Sequence, residues 1–512
     1  MTSKISVEKI NESYVCIVSE NKAILDKIFL FLKLSKPNAR FNPMIMRGLE
    51  SPFIYYSKFL DNKHLCVYYG LLPLLTKFGV PQIQQKSQYS EDEINKYLSD
   101  IENTLPFKPY DYQTQTVKEC LRDSRKIAIL ATSAGKSLII ALICDFLRLH
   151  NKHILLLVPN INLLTQFKSD IESYNLVKLY NNIELLGSGN VATFEKTMLI
   201  STWQSMTKHK DKLKNYQCII CDELHRYAGE VVSDIIKKAS TIDMRFGFTG
   251  TLPEDLTMKM TLISLFSMPK KFVTPAKLIE MGLATPIKIN SIIFRYPTDI
   301  MTMFNSLDNY SQQLKVIKEY TPRTNFIVRL AVKLRKDKQN TLVLFQHTNH
   351  GKDIFISLMK HLYNIEVENK DIVGKKSFEF QEKYRIYFMN GEDDAVTREK
   401  TRKILEHNDD AILIANYAVC STGINMKKLH NLIFASPLKA FTTVAQSLGR
   451  LMRKHNSKTE ANIYDLVDVF TNRHKPSGIF WKEFQHRVKK SYNPEGYPIR
   501  SAEISLKSFE EW

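Results

Sequence analysis

Cysteine is scarce in this sequence, and the few cysteines are scattered. Seven stand among 512 residues, an odd number that is thinly spread along the chain. This pattern excludes a disulfide framework and favours a reducing compartment, which we expect to be the cytoplasm. Cys218 and Cys221 form a CxxC within the apolar stretch YQCIICDEL, but no second CxxC or His pair stands at zinc spacing. We therefore expect two buried thiols there rather than a metal site.

Long apolar runs are also missing. No stretch reaches the roughly 18 uninterrupted apolar residues that a membrane helix needs. The opening MTSKISVEKINESYVCIVSENK has no apolar segment followed by a cleavage site, which excludes a signal peptide. Repeats and low-complexity tracts are absent as well. The sequence predicts a soluble protein with no membrane partner.

Acidic residues are outnumbered. Lys and Arg total 72 against 53 Asp and Glu, which gives a formal net charge of +19. Such an excess favours a polyanionic partner, because each phosphate that the protein neutralises releases condensed counterions. A generally basic proteome would produce the same excess, so the charge needs support from motifs.

The chain is long enough for two to four domains. Residues 1–83 alternate short strand-like runs with helices and predict a small α+β domain. Its interleaved basic and aromatic residues could bind duplex DNA, or the aromatics could equally form the core of a small sheet. The polar residues 84–104 predict a linker that contains one amphipathic helix. Strands then alternate with helices in 105–285 and again in 286–475, which is typical of two α/β domains with parallel sheets. Residues 476–512, with WKEFQHRVKK, predict a basic helix and C-terminal tail.

The segment LATSAGKSLIIALI places a phosphate-binding sequence between a strand and a helix. Gly135 and the helix start supply backbone N–H groups, Lys136 can reach the β- and γ-phosphates, and the Ser137 hydroxyl can bind Mg²⁺. A strict phosphate loop has Gly where this chain has Leu130, so the generic motif is incomplete. The predicted loop consists of Thr132, Ser133, Ala134, Gly135, Lys136 and Ser137.

A second candidate site residue pair follows in CIICDELHRY. Asp222 ends an apolar strand and can hold Mg²⁺, while Glu223 can polarise the attacking water. A solvated acidic turn is the alternative, and the strand context favours the catalytic pair.

Upstream of the phosphate loop, Tyr110, Tyr112 and Gln113 open a predicted helix. A Gln amide can donate one hydrogen bond to adenine and accept another, while an aromatic ring stacks on the base. In the second α/β domain, AQSLGRLMRK offers Gln446, Arg450 and Arg453. The two arginines stand one helical turn apart and can meet the same anion as arginine fingers, although a cationic helix face has the same spacing.

Together these segments resemble a known family. The order DYQ, ATSAGKS, CDELH, GFTGT, VCSTGIN and QSLGRLMR over residues 105–455 is similar to that of superfamily 2 DExH helicases. RFNP, TSAGKSLI, TWQS, IKINSIIFRYP and LMRKHNSKT further resemble the UvsW-type recombination and repair DNA helicases of T-even-like bacteriophages. The resemblance implies an α/β fold of two tandem RecA-like domains, with ATP and Mg²⁺ as cofactors and the host cytoplasm as location.

The resemblance also implies roles for further residues. It assigns coupling of hydrolysis to domain movement to Thr249, Gly250 and Thr251. It assigns contacts with the tracking strand to Pro159, Asn160, Thr202, Gln204, Thr422 and Gly423. Hydroxyl and backbone groups of this kind grip phosphates without reading bases, and the same residues also serve as turn and cap residues.

The expected function is ATP-driven unwinding or branch migration of branched DNA. The partners implied by the resemblance are a single-stranded tracking strand and branched duplexes such as Holliday junctions, stalled forks and displacement loops, together with RNA in R-loops. Alternatives are an RNA helicase, the motor of a restriction system and a scaffold with an inactive nucleotide site. The presence of Lys136, Asp222, Glu223 and Arg453 disfavours the scaffold.

Overall fold

The computed structural model describes most of the chain, with short gaps. The described residues are 5–83, 88–187, 189–373, 377–391, 393, 395–417, 426–438, 444, 447, 449, 451–471 and 477–509. The chain divides into two compact units, Met1–Val273 and Thr274–Trp512. Within the described residues, no helix combines the length and the apolar character that crossing a membrane requires.

The first unit begins with a small α+β segment. Four of its strands form an antiparallel sheet in the order β1-β2-β6-β5, and β3 and β4 form a separate two-stranded antiparallel sheet. In β6 the side chains of Leu65 and Val67 are buried while their neighbours are half-buried, as expected for a sheet with one face covered. The strands are β1 (Ser6–Lys9), β2 (Tyr14–Val18), β3 (Lys33–Ser35), β4 (Phe53–Tyr55), β5 (Ser57–Phe59) and β6 (His64–Tyr68), and the helices are α1 (Lys22–Phe31), α2 (Pro43–Met46) and α3 (Leu72–Leu75).

The rest of the first unit is built on a seven-stranded, entirely parallel sheet in the order β13-β7-β12-β11-β8-β10-β9. All five residues of β8 are buried, because helices cover both faces of a parallel sheet. Its strands are β7 (Arg125–Leu130), β8 (Ile154–Val158), β9 (Ile183–Leu186), β10 (Met198–Thr202), β11 (Cys218–Asp222), β12 (Met244–Thr249) and β13 (Pro269–Val273). Its helices are α4 (Glu91–Glu102), α5 (Asp111–Asp123), α6 (Lys136–Leu149), α7 (Ile161–Ser173), α8 (Val177–Asn181), α9 (Trp203–Met206), α10 (Glu230–Lys238) and α11 (Leu256–Phe266).

The N-terminal segment and the parallel sheet share one hydrophobic core, which contains Val15 and Leu65 as well as Leu155 and Ile219. The contact is close, because a Cβ atom on Gly70 would lie 2.7 Å from the Ser264 carbonyl oxygen on α11 and closer still to that of Ile263. Hydrogen bonds also connect the N-terminal segment to the parallel-sheet portion. The Tyr56 hydroxyl donates to the Thr257 carbonyl at 2.7 Å, and Arg245 donates to the Ser13 hydroxyl at 2.9 Å.

The polar residues 84–104 contain the helix expected from the sequence, α4. A capping box at Ser90 and Glu93 begins it. Tyr97 on this helix is buried, and its hydroxyl donates to the Leu142 carbonyl at 3.0 Å and to Asp145 at 3.2 Å on α6. The helix is thus packed against the parallel-sheet portion of the first unit.

The second unit contains another seven-stranded parallel sheet, in the order β16-β17-β15-β18-β19-β14-β20. Its strands up to residue 469 are β14 (Ile287–Arg295), β15 (Thr341–Phe345), β16 (Ile386–Met389), β17 (Ile412–Asn416), β18 (Asn431–Phe434) and β19 (Ala461–Val469). Its helices up to residue 407 are α12 (Pro275–Glu280), α13 (Thr298–Asn305), α14 (Tyr310–Glu319), α15 (Thr321–Lys336), α16 (Thr348–Tyr363), α17 (Asn369–Ile372), α18 (Ser377–Tyr384) and α19 (Ala395–His407).

The last described segment, 477–509, contains the basic helix expected there, together with a strand that its composition does not suggest. It contains helix α20 (Ile479–Arg487) and strand β20 (Ile499–Ser505), which pairs in parallel with β14 as an edge of the sheet. Arg487 explains why a basic segment can fold here. Its guanidinium is buried and forms two hydrogen bonds, at 2.8 and 2.9 Å, with the carboxylate of Asp465 on β19.

Candidate functional site

The predicted phosphate loop connects β7 to α6 at the carboxyl edge of the first parallel sheet. Ser133 and Gly135 both have positive φ, +70° and +73°, and these conformations let the loop turn tightly into the helix. Helix α6 begins at Lys136, so its unpaired N–H groups and the positive end of its dipole face the loop. This geometry is suited to holding a phosphate chain.

Gln113 ties the phosphate loop to helix α5. Its side-chain amide donates to the Ala134 carbonyl at 3.0 Å, and its oxygen accepts from the Tyr110 backbone N–H at 2.9 Å. The Tyr112 hydroxyl donates to the same Ala134 carbonyl at 3.1 Å. A Cβ atom on Gly135 would collide with the Gln113 amide nitrogen. The amide that was expected to read adenine therefore also supports the loop.

Aromatic rings flank the loop. Tyr110 is exposed and stacks on Tyr112, with ring centroids 5.8 Å apart. Phe107 is exposed too, and its ring meets that of Tyr174 edge-on at 5.9 Å. Tyr174, at the end of α7, forms a hydrogen bond with the Ser137 side chain, and burial raises the pKa of this phenol. Phe107 and Tyr174 were not among the residues predicted from the sequence, since only the fold brings α7 to this loop.

The acidic pair lies where β11 ends, next to the phosphate loop. Lys136 Nζ is 3.9 Å from a Glu223 carboxylate oxygen, so the two candidate residues face each other. Glu223 has φ +50°, and its N–H donates to Asp222 at 2.9 Å. Burial, together with repulsion from Glu223, raises the pKa of Asp222 from 3.8 to about 7. The nearby positive charge of Lys136 lowers this pKa, but by less than burial and Glu223 raise it.

His225 connects the acidic pair to the adjacent strand, a role that the sequence did not assign. The Thr249 hydroxyl donates to the Thr251 carbonyl at 2.6 Å. The Thr249 hydroxyl has only one proton, which it donates to Thr251. In the hydrogen bond between His225 and Thr249, 3.0 Å long, the donor is therefore the Nδ1–H of His225. The same nitrogen lies 3.6 Å from Glu223. Burial lowers the pKa of His225, which favours the neutral ring.

Gly250 lies close to the phosphate loop. A Cβ atom there would lie 3.6 Å from the Thr132 hydroxyl, so the loop after β12 runs beside the phosphate loop. The expected coupling residues Thr249, Gly250 and Thr251 are therefore assembled next to both the phosphate loop and the acidic pair.

Four of the predicted strand contacts lie along the same sheet edge. Val158, the last residue of β8, is in register with Thr202, the last residue of β10, so the segments that follow are neighbours. Asn160 and Thr202 cap the helices that start there, by accepting from Leu163 N–H at 3.0 Å and Ser205 N–H at 3.3 Å. The cap role is thus present in the structure. Pro159 is buried and Gln204 is exposed.

Most of the predicted residues in the second unit lie outside the described part of the chain. These residues are Thr422, Gly423, Gln446 and Arg450. Arg453 is described and half-buried, just after the helical residue Leu451. Its backbone carbonyl accepts from the Thr285 hydroxyl at 3.2 Å.

Comparison with known proteins gives the chain its relatives. Residues 106–254 match the family described as type III restriction enzyme, res subunit. Over 456 aligned residues, the chain is 32% identical to the ATP-dependent DNA helicase UvsW of Enterobacteria phage T4, and the alignment covers 86% of each protein. A crystal structure of T4 UvsW aligns with 98% of this chain and 100% of its own, at 27% identity and a TM-score of 0.46.

A second solved structure shares the fold. It is a fragment described as the HsdR subunit of a type I restriction enzyme from Vibrio vulnificus YJ016, with 16% identity and a TM-score of 0.57 over 81% of this chain and 72% of its own. The two parallel sheets are thus tandem RecA-like domains, which confirms the fold class predicted from the sequence. With about a third of its residues identical along most of its length, the chain belongs to the UvsW family of ATP-dependent DNA helicases.

Proposed function

We propose that this protein couples ATP hydrolysis to unwinding and branch migration of branched DNA. The observation that carries the proposal is the assembly at one sheet edge of the phosphate loop, the Asp222–Glu223 pair and the His225–Thr249 link. The groups that would bind phosphate, catalyse hydrolysis and connect to the strand-contact loops are adjacent there. This arrangement suits a motor rather than a passive nucleotide-binding module.

Lys136 and the N–H groups at the start of α6 would hold the β- and γ-phosphates. Glu223 would orient and polarise the attacking water, since its carboxylate already faces Lys136 at 3.9 Å. Tyr110 and Tyr112 would flank the adenine ring, and Gln113 would contact its edge while keeping the loop in place.

A divalent cation fits the donor set of Ser137 and Asp222. Burial and Glu223 raise the pKa of Asp222, and an ion such as Mg²⁺ would hold this carboxylate ionised. When bound, Mg²⁺ supplies charge neutralisation for the phosphate oxygens. The Ser137 hydroxyl would then exchange its hydrogen bond with Tyr174 for the metal.

Arg453 and Arg450 would serve as arginine fingers, with Gln446 as a further catalytic side chain. A guanidinium stabilises the charge that develops on the transferred phosphoryl group, an effect worth about 10³–10⁵ in rate. Loss of the γ-phosphate would remove the interaction that favours the ATP-bound conformation.

Strand contacts would come from Pro159, Asn160, Thr202 and Gln204 in the first domain and from Thr422 and Gly423 in the second. Asn160 and Thr202 stand at helix starts, where the remaining backbone N–H groups can bind phosphates. Binding of the strand would therefore be largely independent of its base sequence. Thr249, Gly250 and Thr251 would transmit the state of the nucleotide to these loops through His225.

The N-terminal segment offers a surface for duplex at a branch point. Several large apolar side chains and two arginines are exposed next to one another in sequence, which is unusual for a surface without a partner. Arginines neutralise phosphates, and apolar side chains can pack against opened base pairs. This surface, the exposed N-terminal patch, consists of Arg40, Phe41, Met44, Met46, Arg47 and Leu49.

Steady-state ATPase with fork DNA, a four-way junction, linear duplex, single strand and RNA tests the proposed function. We expect fork and junction DNA to stimulate turnover most, and the same substrates to be unwound or migrated only with ATP and Mg²⁺. Stimulation by RNA alone would instead indicate an RNA helicase. ATP binding without turnover on any substrate would indicate a scaffold.

The patch is tested with Arg40→Ala/Arg47→Ala. The double variant should lose preference for forks over single strands. The slope of log affinity against log salt on duplex should fall by about 0.9 for each phosphate that the variant no longer neutralises. Lys63→Ala, a lysine of the same segment that pairs with Glu20 outside the patch, is the matched control. An unchanged slope in the double variant would exclude the patch as a duplex-binding surface.

A further inference from the structure

Lys458 is a buried lysine in the second domain that the proposed mechanism does not use. The residue is only 8% exposed, whereas lysines are almost never fully buried unless they are paired. Its ammonium donates to two backbone carbonyls, Leu451 O at 2.7 Å and Leu429 O at 3.0 Å. Burial of the ammonium costs desolvation free energy, which these two hydrogen bonds offset. Through them, Lys458 joins the segment that contains Leu451 to the segment that contains Leu429.

The two carbonyls lie at functionally different places. Leu451 belongs to the helical segment that also includes Ser447 and Gly449, and its carbonyl is among those that a helix end leaves without an intrahelical partner. Leu429 precedes β18 in the core of the parallel sheet. The lysine therefore ties the end of this helical segment to the sheet, and its positive charge complements the negative end of the helix dipole.

Arg453 follows this anchored helix end directly. Thr285 holds the same stretch from the other side, because its N–H donates to the Met452 carbonyl at 2.7 Å and its hydroxyl to the Arg453 carbonyl at 3.2 Å. Lys458 and Thr285 thus hold the backbone carbonyls from Leu451 to Arg453.

The charges around Lys458 are cationic. Burial and repulsion from Arg453 lower the pKa of Lys458 to about 7. His430 also faces it, and its pKa is lowered by burial and by Lys458. An ammonium that only stabilised the fold would gain from a carboxylate partner, as Lys428 does with Asp409 at 2.6 Å.

We infer that Lys458 is a positioning residue for Arg453, acting through the carbonyl of Leu451 to set where the guanidinium meets the phosphoryl group. The inference rests on the finger role proposed for Arg453. Lys458 does not touch the nucleotide itself. Its contribution is orientation, and a misplacement of about 1 Å in a catalytic group can cost about 100-fold in rate.

The test uses Lys458→Met in the full-length protein, with DNA-stimulated ATPase measured at several ATP concentrations. We expect kcat to fall about 10- to 100-fold with little change in the KM for ATP, because orientation of a finger acts on the transition state. Lys428→Met removes a neighbouring lysine that is also largely buried but bonded to a carboxylate, and it should keep kcat.

A double-mutant cycle separates positioning from general structural damage. Lys458→Met should lower kcat much less in an Arg453→Ala background than in the parent, because the group that it positions is already gone. An equal fold-loss in both backgrounds would overturn the inference while leaving the finger intact. If Arg453→Ala alone turned over ATP like the parent, the proposed finger role itself would fail.

If Lys458→Met does not fold, Thr285→Val tests the same positioning of Arg453. The change removes only the hydroxyl that bonds the Arg453 carbonyl and retains the backbone bond to Met452. It should reproduce the fall in kcat and the same dependence on Arg453. A Thr285→Val protein with unchanged kcat would count against positioning of this stretch.

Discussion

Gly70→Ala is the sharpest test of the shared core in the first unit. Gly70 lies in the short turn after β6, and its α-carbon approaches the backbone of α11. The added methyl would lie 2.7 Å from the Ser264 carbonyl oxygen and closer to that of Ile263. Backbone atoms of a helix cannot rotate away as a side chain can, so the two surfaces must separate.

The expected cost follows from the size of this clash. Overpacking a core by a methylene typically costs about 1–3 kcal/mol, and a collision with two backbone carbonyls belongs at the upper end, about 3 kcal/mol. For a folding unit of this size, about 1 kcal/mol corresponds to about 2–4 °C, so the melting temperature of the first unit should fall by about 6–12 °C.

Differential scanning calorimetry of the full-length protein measures the effect. The transition of the first unit is identified as the one that added ADP shifts upward, because ligands stabilise the domain that binds them. Gly229→Ala is the matched control, since Gly229 has φ −69° and no atom within 4 Å of an added Cβ. Equal melting temperatures for the two variants would refute the close packing of the N-terminal segment on α11.

Four further predictions concern the nucleotide site. Lys136→Ala should abolish ATP turnover in a protein that still binds DNA in gel-shift assays, and an equal loss of DNA affinity would contradict its assignment. Glu223→Gln should bind ATP in filter-binding assays yet hydrolyse it at least about 100-fold more slowly, because the amide cannot act as a base; parental turnover would exclude Glu223. Gln113→Ala should raise the KM for ATP and for GTP alike if the amide mainly supports Ala134, whereas a loss confined to ATP would show base reading. Asp222 keeps a proton between about pH 4 and 7 that the unfolded chain has lost, so its contribution to stability falls as pH rises through that window. Without Mg²⁺, the free energy of unfolding of Asp222→Asn relative to the parent should therefore rise from about pH 4 to about pH 7, by at most about 1.4 kcal/mol per pH unit, and level off above that range; a constant difference would contradict the raised pKa.

The buried strands of both sheets could be predicted from sequence because their apolar runs are continuous. HILLLVP and CIICDE correspond to β8 and β11, which are buried on both faces. Strand β20 escaped prediction for the opposite reason. IRSAEIS is mostly exposed at the sheet edge, so neither an apolar run nor a clear alternation marks it. Arg487 likewise looked like part of a solvated basic tail, since its partner Asp465 lies on another strand.

The phosphate loop and the acidic pair could be recognised because each is a contiguous motif between a strand and a helix. Their connections are non-local and depend on strand order. His225 meets Thr249 only because β11 and β12 are adjacent in the sheet. The contact of Gln113 could not be predicted for the same reason. The amide chemistry of this residue predicted adenine binding, whereas in the fold the amide also donates a hydrogen bond to the Ala134 carbonyl.

Two residues of the nucleotide site have a strained backbone conformation. Ser133 and Glu223 have φ of +70° and +50°, in a region that L-residues other than Asn and Asp rarely adopt. A non-glycine residue there costs about 1–3 kcal/mol, and Gly would relieve the strain at either position. Glycine at position 223, however, would remove the carboxylate that this turn directs toward Lys136. The contact of this carboxylate with Lys136 at 3.9 Å favours a catalytic role for Glu223 over a solvated acidic turn.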